Sequence, residues 1–346
     1  MPDVMTITLI AVVLLALAYD FITGFHDTAN SIATSVSTRV LSPRIAVMMA
    51  AGLNFLGALV STNVAKTIST GLVNVDKANP LPQYVIIAAL VAAIVWGLLT
   101  WYFGLPSSSS HALIGGLVGA AIAYAMSFEK VVWSGVFEKV VLPLITSPLI
   151  GFFLAFCLMS LLFKILANLS LHVVNKWFSK LQILSAAVMS FAHGNNDAQK
   201  SMGIITLALL SLPASMHASV GLNAAGDVPL WVKLACAVMM GLGTSFGGWR
   251  IIKTMGVNMI KLQPIGGFAA ETTAAAIIET ASAFGLPVST THVISASIMG
   301  VGAARRISAV RWGLAKNIVY AWIFTIPVTA LLGAGVVMLI KLCFGL

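Results

Sequence analysis

The sequence contains very few charged residues. Asp, Glu, Lys and Arg make up 8% of the 346 residues and hydrophobic residues 59%, whereas soluble domains carry roughly a quarter charged residues. This shortage excludes an ordinary soluble globule. Alternating segments of about 10 residues, which membrane β-strands would show, are also missing, since the apolar runs are long and unalternated, as in YVIIAALVAAIVWGLLTWYFG at 84–104. The composition therefore predicts an all-α polytopic membrane protein, because helices satisfy their own backbone polar groups in lipid.

Cysteine is scarce too, and Cys157, Cys236 and Cys343 lie in apolar runs without metal-type spacing, so no function is assigned to them. Basic residues exceed acidic ones, 19 to 10, but they are dispersed over short loops, which is typical of cytoplasmic loops and not of nucleic-acid binding. The expected partner is the lipid bilayer, and no nucleic acid is expected. No basic residue precedes the first apolar run, 5–19, which predicts a first membrane helix and not a cleaved signal peptide.

Two pairs of motifs recur in the same order along the chain. GFHD at 24–27 aligns with GNND at 194–197, and GLPSSSSH at 104–111 aligns with GLPVSTTH at 285–292. Several apolar segments are shorter than the ~20 residues that span a bilayer, and they carry Gly, Pro or polar clusters at one end. Short, interrupted segments at matching places are typical of binding sites made from broken or re-entrant helices in transporters. The recurrence predicts two repeats, about 25–126 and 195–304, within about 10–12 membrane segments.

The loop charges predict that the two repeats are inverted in the membrane. Basic residues without acids follow the first Asp motif at 38–44 and the second Ser-rich motif at 305–316. The corresponding loop after the second Asp motif, 201–232, has no Lys or Arg, and the loop at 127–139 has equal numbers of acids and bases. The excess of basic residues therefore follows the Asp motif in the first repeat and the Ser-rich motif in the second, as inversion requires. It places the basic loops, including the connector at 164–180, in the cytoplasm and both termini outside.

The chain is accordingly divided into a first repeat with its N-terminal helix at 1–163, the basic connector at 164–180, and a second repeat with its C-terminal helix at 181–346. The expected location is the cell membrane, inner or plasma, with several passes. Lys66 and Lys77 fit this orientation less well, because they would lie outside or at the interface.

The two Asp motifs are candidates for coupling-ion sites. An ionised carboxylate inside a bilayer costs at least about 2.5 kcal/mol, so it is normally paired or lines a wet cavity. Asp27 and Asn30, three residues apart, share a helix face and offer oxygens to a hard cation. The alternative is a hydrogen-bonded contact between helices, which two clusters at repeat-related positions make less favoured. The candidate ligands in the two motifs are Asp27, Thr28, Asn30, Asn196 and Asp197.

The two Ser-rich motifs are candidates for an anion site. Each places a Pro and then hydroxyls before an apolar run, which is typical of a helix start. A helix start exposes free N–H groups and the positive end of the helix dipole, so it can bind an anion without a cationic side chain. Plain helix capping is the alternative for a single copy. The candidate anion ligands are Ser107, Ser108, Ser109, Ser110, Ser289, Thr290 and Thr291.

Several of these motifs together, GFHDTAN, HGNND, and GLPVSTTH with GFAAE before it, resemble the inorganic phosphate transporter (PiT) family, with similarity over nearly the whole chain. The resemblance implies phosphate as substrate, cation-coupled symport, inverted repeats, a homodimer, no enzymatic activity and no cofactor. It implies that the Asp motifs bind coupling cations and that the Ser-rich motifs hold phosphate. Glu271 of GFAAE matches the family pattern and joins the candidate coupling-ion residues, in a segment where Gly266 and Gly267 are candidates for a helix break.

Two departures from the family pattern bear on the coupling ion. Sodium-coupled members resemble GANDVAN in the first motif and GSNDVAN in the second, whereas this chain has His26 and Lys200 in place of an Asn. A Lys ammonium beside Asp197 would repel sodium, and histidine, which stands at position 26, is the residue type whose unperturbed side chain titrates near neutral pH. Both changes favour protons as the coupling ion and match low-affinity bacterial members, a resemblance that implies transport of phosphate with a divalent metal such as Mg²⁺. Sodium coupling stays open as the alternative.

The resulting hypothesis is a secondary active symporter that imports inorganic phosphate with protons. The alternatives are a carrier of the same fold for sulfate or another oxyanion, a passive channel, and an intramembrane enzyme using His26–Asp27 or His193 with Asp197. The enzyme is disfavoured because the chain has no nucleophile elbow and no HExxH motif. The roles of Asp20, His111 and His292, and of a cytosolic regulator on the basic loops, are left open.

Overall fold

The computed structural model describes residues 4–72, 83–223 and 225–345, and over these residues its regular elements are helices. Lys77 lies outside the described residues. Two π-helical segments, Phe137–Val141 and Lys253–Asn258, adjoin short helices. The α-helices are α1 Val4–Ser37, α2 Pro43–Ala58, α3 Asn63–Gly71, α4 Gln83–Phe103, α5 Ser109–Ala125, α6 Trp133–Val136, α7 Leu142–Ile165, α8 Leu171–Leu210, α9 Ala214–His217, α10 Leu230–Phe246, α11 Trp249–Ile252, α12 Pro264–Ala283, α13 Thr290–Arg305 and α14 Trp312–Phe344.

Four helical stretches in the described part of the chain are long and apolar enough to cross a membrane. They are Met5–Ser37, Gln83–Phe103, Trp133–Ile165 and Trp312–Phe344. Their outward faces carry large exposed apolar side chains, such as Phe153 on α7 and Leu331 on α14, which a soluble protein would bury. The all-α membrane fold is therefore as the sequence predicts.

Two further helix pairs are broken, and they supply the interrupted segments that the sequence predicts. The axis bends by 65° between Pro43–Ala58 and Asn63–Thr70, and by 61° between Leu230–Phe246 and Trp249–Asn258. The second bend lies at Gly247, whose φ of 72° favours glycine. A Cβ on its neighbour Gly248 would lie 2.5 Å from the carbonyl oxygen of Phe25, so this bend packs directly against the backbone of α1. If each bent pair counts as one span, the described ranges contain six candidate spans.

Several predicted breaks are absent. The segments 181–193 and 199–213 form one continuous helix, α8, with the GNND motif in its middle, and the GFHD motif likewise lies inside α1. Gly266 and Gly267 do not break a helix either, because α12 begins at Pro264 and includes both. Burial explains this: the polar residues of both Asp motifs are enclosed by other helices, and packing overrides the weak helix propensity of Asn, Asp and Gly.

The two sequence-defined halves exchange helices and do not form separate bodies. Helix α14, from the second half, packs on α5 of the first, and α7, from the first half, packs on α13 of the second. Helix α1 packs on α8 and α10, and α2 also packs on α8. Both Asp motifs and both Ser-rich motifs thereby face the same interior. The connector at 164–180 is largely helical, since α7 ends at Ile165 and α8 begins at Leu171.

The contact between α5 and α14 depends on glycine. A Cβ on Gly119 would overlap the carbonyl oxygen of Ala330, and a Cβ on Gly333 would overlap the carbonyl oxygen of Gly116. We expect Gly119→Ala to lower the free energy of unfolding by about 1–3 kcal/mol, because the added methyl group overpacks a rigid contact. The measurement is the thermal unfolding midpoint in detergent. Gly335→Ala on α14, whose added Cβ meets no atom within 4 Å, is the matched control and should unfold like the unmodified chain.

Lys66, which fitted the predicted orientation poorly, forms an exposed ion pair. Its Nζ lies 2.6 Å from Asp227 Oδ1 in the segment before α10. The hydrogen bond from Lys66 lowers the pKa of the Asp227 carboxyl. The pair ties α3 to this segment at the surface, and exposed pairs of this kind contribute little to stability.

Candidate functional site

The Asp motif of α1 lies where the starts of two other helices meet. Asp27 Oδ1 lies 2.7 Å from Nδ1 of His26, and Asp27 is 1% exposed. Its Oδ2 accepts a 2.8 Å hydrogen bond from Ser109 Oγ at the start of α5. Its Oδ1 accepts one of 3.3 Å from Thr291 Oγ1 at the start of α13. One carboxylate therefore connects α1 to the first turns of both Ser-rich helices.

The Asp motif of α8 forms a second centre beside the first. Asp197 Oδ1 lies 2.6 Å from Nζ of Lys200, which is itself 1% exposed. Asp197 Oδ2 accepts a 3.2 Å hydrogen bond from Thr290 Oγ1 and lies 3.4 Å from Nε2 of His193. The predicted proximity of Lys200 to Asp197 is thus a direct, buried ion pair.

Asn30 joins the two centres. Its Nδ2 donates to Thr290 Oγ1 at 3.2 Å and to Thr291 Oγ1 at 2.9 Å. These two hydroxyls donate in turn to Asp197 and Asp27. The first turn of α13 is therefore held between the two Asp motifs. A change in the charge or position of one carboxylate can alter the hydrogen bonds that the other accepts.

Both Ser-rich motifs form helix starts, where the sequence predicts them. Ser108 is the N-cap of α5, and its Oγ accepts a 3.2 Å hydrogen bond from the backbone N–H of His111. Ser289 caps α13 in the same way on the N–H of His292, also at 3.2 Å. Each cap satisfies one of the free N–H groups of its first turn, and the remaining ones and the helix dipole favour a bound anion.

Beyond the capping hydroxyls, the two histidines that follow them meet across the repeats. The rings of His111 and His292 have centroids 4.9 Å apart, and His292 stacks on Trp322 at 4.1 Å. Within the described residues, both ring nitrogens of His292 and Nδ1 of His111 lack a hydrogen-bond partner. The ring of His292 therefore bonds no neighbouring carbonyl among the described residues.

Three carboxylate and imidazole groups are close enough to share a cation. Ligand atoms of Asp27, His193 and Asp197 lie within 4.8 Å of one another, and all three residues are buried. In the part of the chain that is described, the carbonyl oxygen Oδ1 of Asn30 and Nε2 of His193 have no hydrogen-bond partner. The two carboxylates and the imidazole nitrogen fit a cation, although Lys200 already places a positive charge on Asp197.

Other predicted ligands point elsewhere. Thr28 Oγ1 donates to the backbone oxygen of Gly24 in its own helix, and Ser107 Oγ donates to Thr100 Oγ1. Ser110 Oγ donates to the backbone oxygen of Val288, just before α13, which ties the two Ser-rich segments together. Ser107 and Ser110 thus support the Ser-rich segments, and within the described residues none of the three hydroxyls donates to the carboxylate of Asp27 or Asp197.

Asn196 also points away from the two centres. Its Nδ2 donates to Ser282 Oγ on α12 at 2.7 Å, and its Oδ1 has no hydrogen-bond partner among the described residues. Its position in the motif matches that of His26, whose Nε2 contacts Thr100 on α4 at 3.1 Å. Both motifs therefore use the residue before Asp to bind the neighbouring long helix.

Glu271 lies in a separate buried pocket between α1, α8 and α12. Its carboxylate accepts hydrogen bonds from Thr34 and Ser185 and a longer one, 3.4 Å, from Gln182. It is 0% exposed. It does not contact Asp27 or Asp197, so the structure separates it from the two centres with which the sequence grouped it.

Two residues of this region were not assigned to the site from the sequence. His193 lies one helical turn before Asp197, and Nδ1 contacts Asn54 Oδ1 at 3.0 Å, which orients the ring toward Asp197. The spacing of four residues was the available signal. Asp20 accepts a hydrogen bond from Ser201 across the α1–α8 contact. In the sequence, its spacing of seven residues from Asp27 was the signal that it shares a helix face with the first Asp motif.

Known proteins are similar to this chain over most of its sequence. Residues 23–333 match the model of the phosphate transporter family. The chain belongs to this family. A relative from Bacillus subtilis (strain 168), named a probable low-affinity inorganic phosphate transporter, is 51% identical over 99% of this chain and 100% of its own length. One of the same name from Rhizobium meliloti (strain 1021) is 49% identical over 94% of both chains.

A solved structure is similar over nearly its whole length. It is described as the sodium-dependent phosphate transporter, and it matches with a TM-score of 0.84 and 28% identity over 97% of this chain and 99% of its own. The resemblance to the phosphate transporter family and to its low-affinity bacterial members is therefore confirmed. The family identifies a transporter and not an enzyme.

Proposed function

We propose that this chain is a secondary active symporter that imports inorganic phosphate into the cell with protons as the coupling ion. The observation that carries the proposal is the contact of both Ser-rich helix starts with Asp27, next to an Asp197 already paired with Lys200. The relatives named as inorganic phosphate transporters supply the substrate.

The helix starts supply the anion site. Phosphate would be held by backbone N–H groups and hydroxyls in the first turns of α5 and α13, where Ser109, Thr290 and Thr291 now donate to the Asp motifs. These donors are neutral, so they hold an oxyanion without the tight ion pair that would oppose its release. An acceptor beside the anion also distinguishes phosphate from sulfate, because only phosphate carries a proton near neutral pH. Asp27 is such an acceptor, which favours phosphate over another oxyanion.

The positive side chain of Lys200 favours protons over sodium as the coupling ion. Lys200 Nζ takes the place beside Asp197 that a sodium ion would need, at 2.6 Å from the carboxylate oxygen. Co-transported positive charge is required because an unaccompanied phosphate would be costly to move through a low-dielectric path. Protons provide that charge without a dedicated coordination shell.

A divalent metal ion that is transported with phosphate is the second candidate for the co-transported positive charge. The closeness of Asp27, His193 and Asp197 favours it, since two carboxylates can hold Mg²⁺ and an imidazole suits transition metals. Glu271, whose carboxylate accepts three hydrogen bonds, is the remaining candidate for a coupling-ion site. The transport assay described next, run with and without Mg²⁺, tests the divalent metal.

The test is uptake of labelled phosphate by the purified chain in proteoliposomes. Uptake is compared under an inward proton gradient, an inward sodium gradient and no gradient, each with and without Mg²⁺. We expect phosphate to accumulate against its gradient under the proton gradient alone. A strict sodium requirement would refute proton coupling, accumulation of sulfate in place of phosphate would refute the substrate, and uptake that never runs uphill would indicate a channel. Dependence on Mg²⁺ would support a metal–phosphate complex.

The proposal includes both termini on the outer side of the cell membrane. Helix α14 begins at Trp312, within the basic loop at 305–316. About 46 Å of helix separates Trp312 from Cys343. That length exceeds the ~30 Å hydrocarbon core, so Cys343, which is exposed, would reach the opposite aqueous side. We expect a membrane-impermeant maleimide to label Cys343 in intact cells when Cys157 and Cys236 are replaced by Ala.

The matched control places the only cysteine in the basic loop, as Ser308→Cys with all three native cysteines replaced by Ala. Ser308 is exposed, and its label should appear only after the cells are permeabilised. The reverse pattern would invert the proposed orientation. The family resemblance also supports a homodimer, which cross-linking in native membranes would test.

A further inference from the structure

Asp20 is a buried carboxyl group to which the proposed function so far gives no role. It lies on α1, is 0% exposed, and its Oδ1 accepts a 2.9 Å hydrogen bond from Ser201 Oγ on α8. Its other oxygen, Oδ2, is buried and has no hydrogen-bond partner within the described residues. An ionised carboxylate in such a place is costly, because it has lost its water and gained a single neutral donor.

The neighbouring carboxylates of Asp27 and Asp197 each have a basic partner, and among the described residues Asp20 does not. Asp27 lies against His26, and Asp197 lies against Lys200. Glu271, which also lacks a basic partner, receives donors on both of its oxygens. Asp20 therefore differs from these other buried acids of the interior in having a free oxygen, which is the place for a proton.

The surroundings of Asp20 connect it to the phosphate site. Titratable groups that interact with it electrostatically are Asp197 and Lys200 on α8, Cys236 on α10 and Tyr19 on α1 itself. Lys200 is the only one of these with a basic side chain. It precedes Ser201, which already contacts Asp20.

We propose that Asp20 carries the coupling proton and that Lys200 changes partner between Asp197 and Asp20 according to whether this proton is bound. This inference rests on the proposed proton-coupled phosphate import and names the residue that performs it. With the proton on Oδ2, Asp20 is neutral and Lys200 stays on Asp197, the partner that it has in this structure. When the proton leaves Oδ2 to water, only that O–H bond breaks, and the new carboxylate attracts the Lys200 ammonium.

The consequence for phosphate follows from the position of Asp197. Its Oδ2 accepts the hydrogen bond of Thr290 in the first turn of α13, so its charge borders the anion site. While Lys200 neutralises Asp197, an anion can bind beside it; when Lys200 moves to Asp20, the exposed negative charge repels the anion. Proton binding at Asp20 and phosphate binding at the helix starts thereby favour each other, and this reciprocal coupling is what symport requires.

The first test compares Asp20→Asn and Asp20→Glu with the unmodified chain in proteoliposomes that contain a pH-sensitive dye. Phosphate counterflow at equal pH reports binding and movement, and accumulation under an inward proton gradient reports coupling. For Asp20→Asn we expect accumulation and phosphate-triggered proton entry to fall at least about tenfold relative to counterflow, and we expect Asp20→Glu to restore both. If Asp20→Asn admits protons with phosphate as the unmodified chain does, the inference is wrong.

A second measurement covers the case in which Asp20→Asn loses counterflow as well. Phosphate, adjusted to the pH of the sample, is added to the purified chain in weakly buffered detergent solution at a series of pH values that includes those at which Asp20 is ionised beforehand. The protons taken up per chain are measured, with the matched change Asp227→Asn at the surface as the control. The unmodified chain and the control should take up a proton, and Asp20→Asn should not; uptake by Asp20→Asn would overturn the inference. An unmodified chain that moves no phosphate, or moves it without protons, contradicts instead the proposed function.

Discussion

Replacing Asp27 by asparagine is expected to reduce phosphate uptake at least about a hundredfold. The carboxylate accepts hydrogen bonds from Ser109 and Thr291 and lies against His26. Hydrogen bonds to a charged group contribute about 1.5–3 kcal/mol each, and about 1.4 kcal/mol corresponds to a factor of ten. An asparagine side chain replaces one acceptor by a donor and removes the charge, so the two helix starts lose their common partner.

The measurement is the initial rate of labelled phosphate uptake in proteoliposomes with equal amounts of folded carrier. Asp227→Asn is the matched control, because it makes the same chemical change at a surface ion pair with Lys66, and its uptake should stay close to that of the unmodified chain. Asp27→Asn with uptake similar to this control would contradict the central position of Asp27.

The helix starts and the pairing of the motifs could be predicted from local sequence. Pro followed by hydroxyls predicts an N-cap whatever surrounds it, and Ser108 and Ser289 occupy that position. The ordered recurrence of the motifs predicted that the two Asp residues belong to one region, and they lie close together around the first turn of α13. In both cases the deciding interactions are local or follow from the repeat.

The continuity of α1 and α8 could not be predicted, because it depends on what encloses the motifs. Gly, Asn and Asp are weak helix formers, and at 194–197 they indicated a break. In the structure the close approach of Gly194 to Asn54 on α2 requires a residue without a side chain, since a Cβ there would overlap the backbone oxygen of Asn54. The same glycine that locally disfavours a helix thus allows the tertiary contact that stabilises one.

The side-chain partners of single residues were equally inaccessible from sequence. Glu271 is satisfied by donors from α1 and α8, which are separated from it by more than 80 residues of chain. Asp20 and Ser201 are 181 positions apart. No periodicity carries such information, whereas Lys200 and Asp197 are only three residues apart, and the position of Lys200 in the second Asp motif predicted that they lie close together.

Replacing Lys200 by methionine is expected to destabilise the carrier by about 3–5 kcal/mol, because it leaves the charge of Asp197 buried and uncompensated. Asp197 has Thr290 as its remaining hydrogen-bond donor, with His193 Nε2 at 3.4 Å. The measurement is the thermal unfolding midpoint in detergent together with the yield of monodisperse protein. Lys316→Met, at an exposed lysine that lies over Tyr320, is the matched control and should leave both values nearly unchanged.

The double variant Asp197→Asn/Lys200→Met separates stability from transport. It removes both charges together, and replacing a whole buried ion pair by neutral groups is often neutral or stabilising, so the unfolding midpoint should recover. The amide oxygen introduced by Asp197→Asn would still accept the hydrogen bond of Thr290, which preserves the first turn of α13. Proton-driven phosphate accumulation should nevertheless stay lost, because no lysine remains to respond to a proton on Asp20. A double variant that regains both stability and proton-driven accumulation would show that the Lys200–Asp197 pair only holds the fold together.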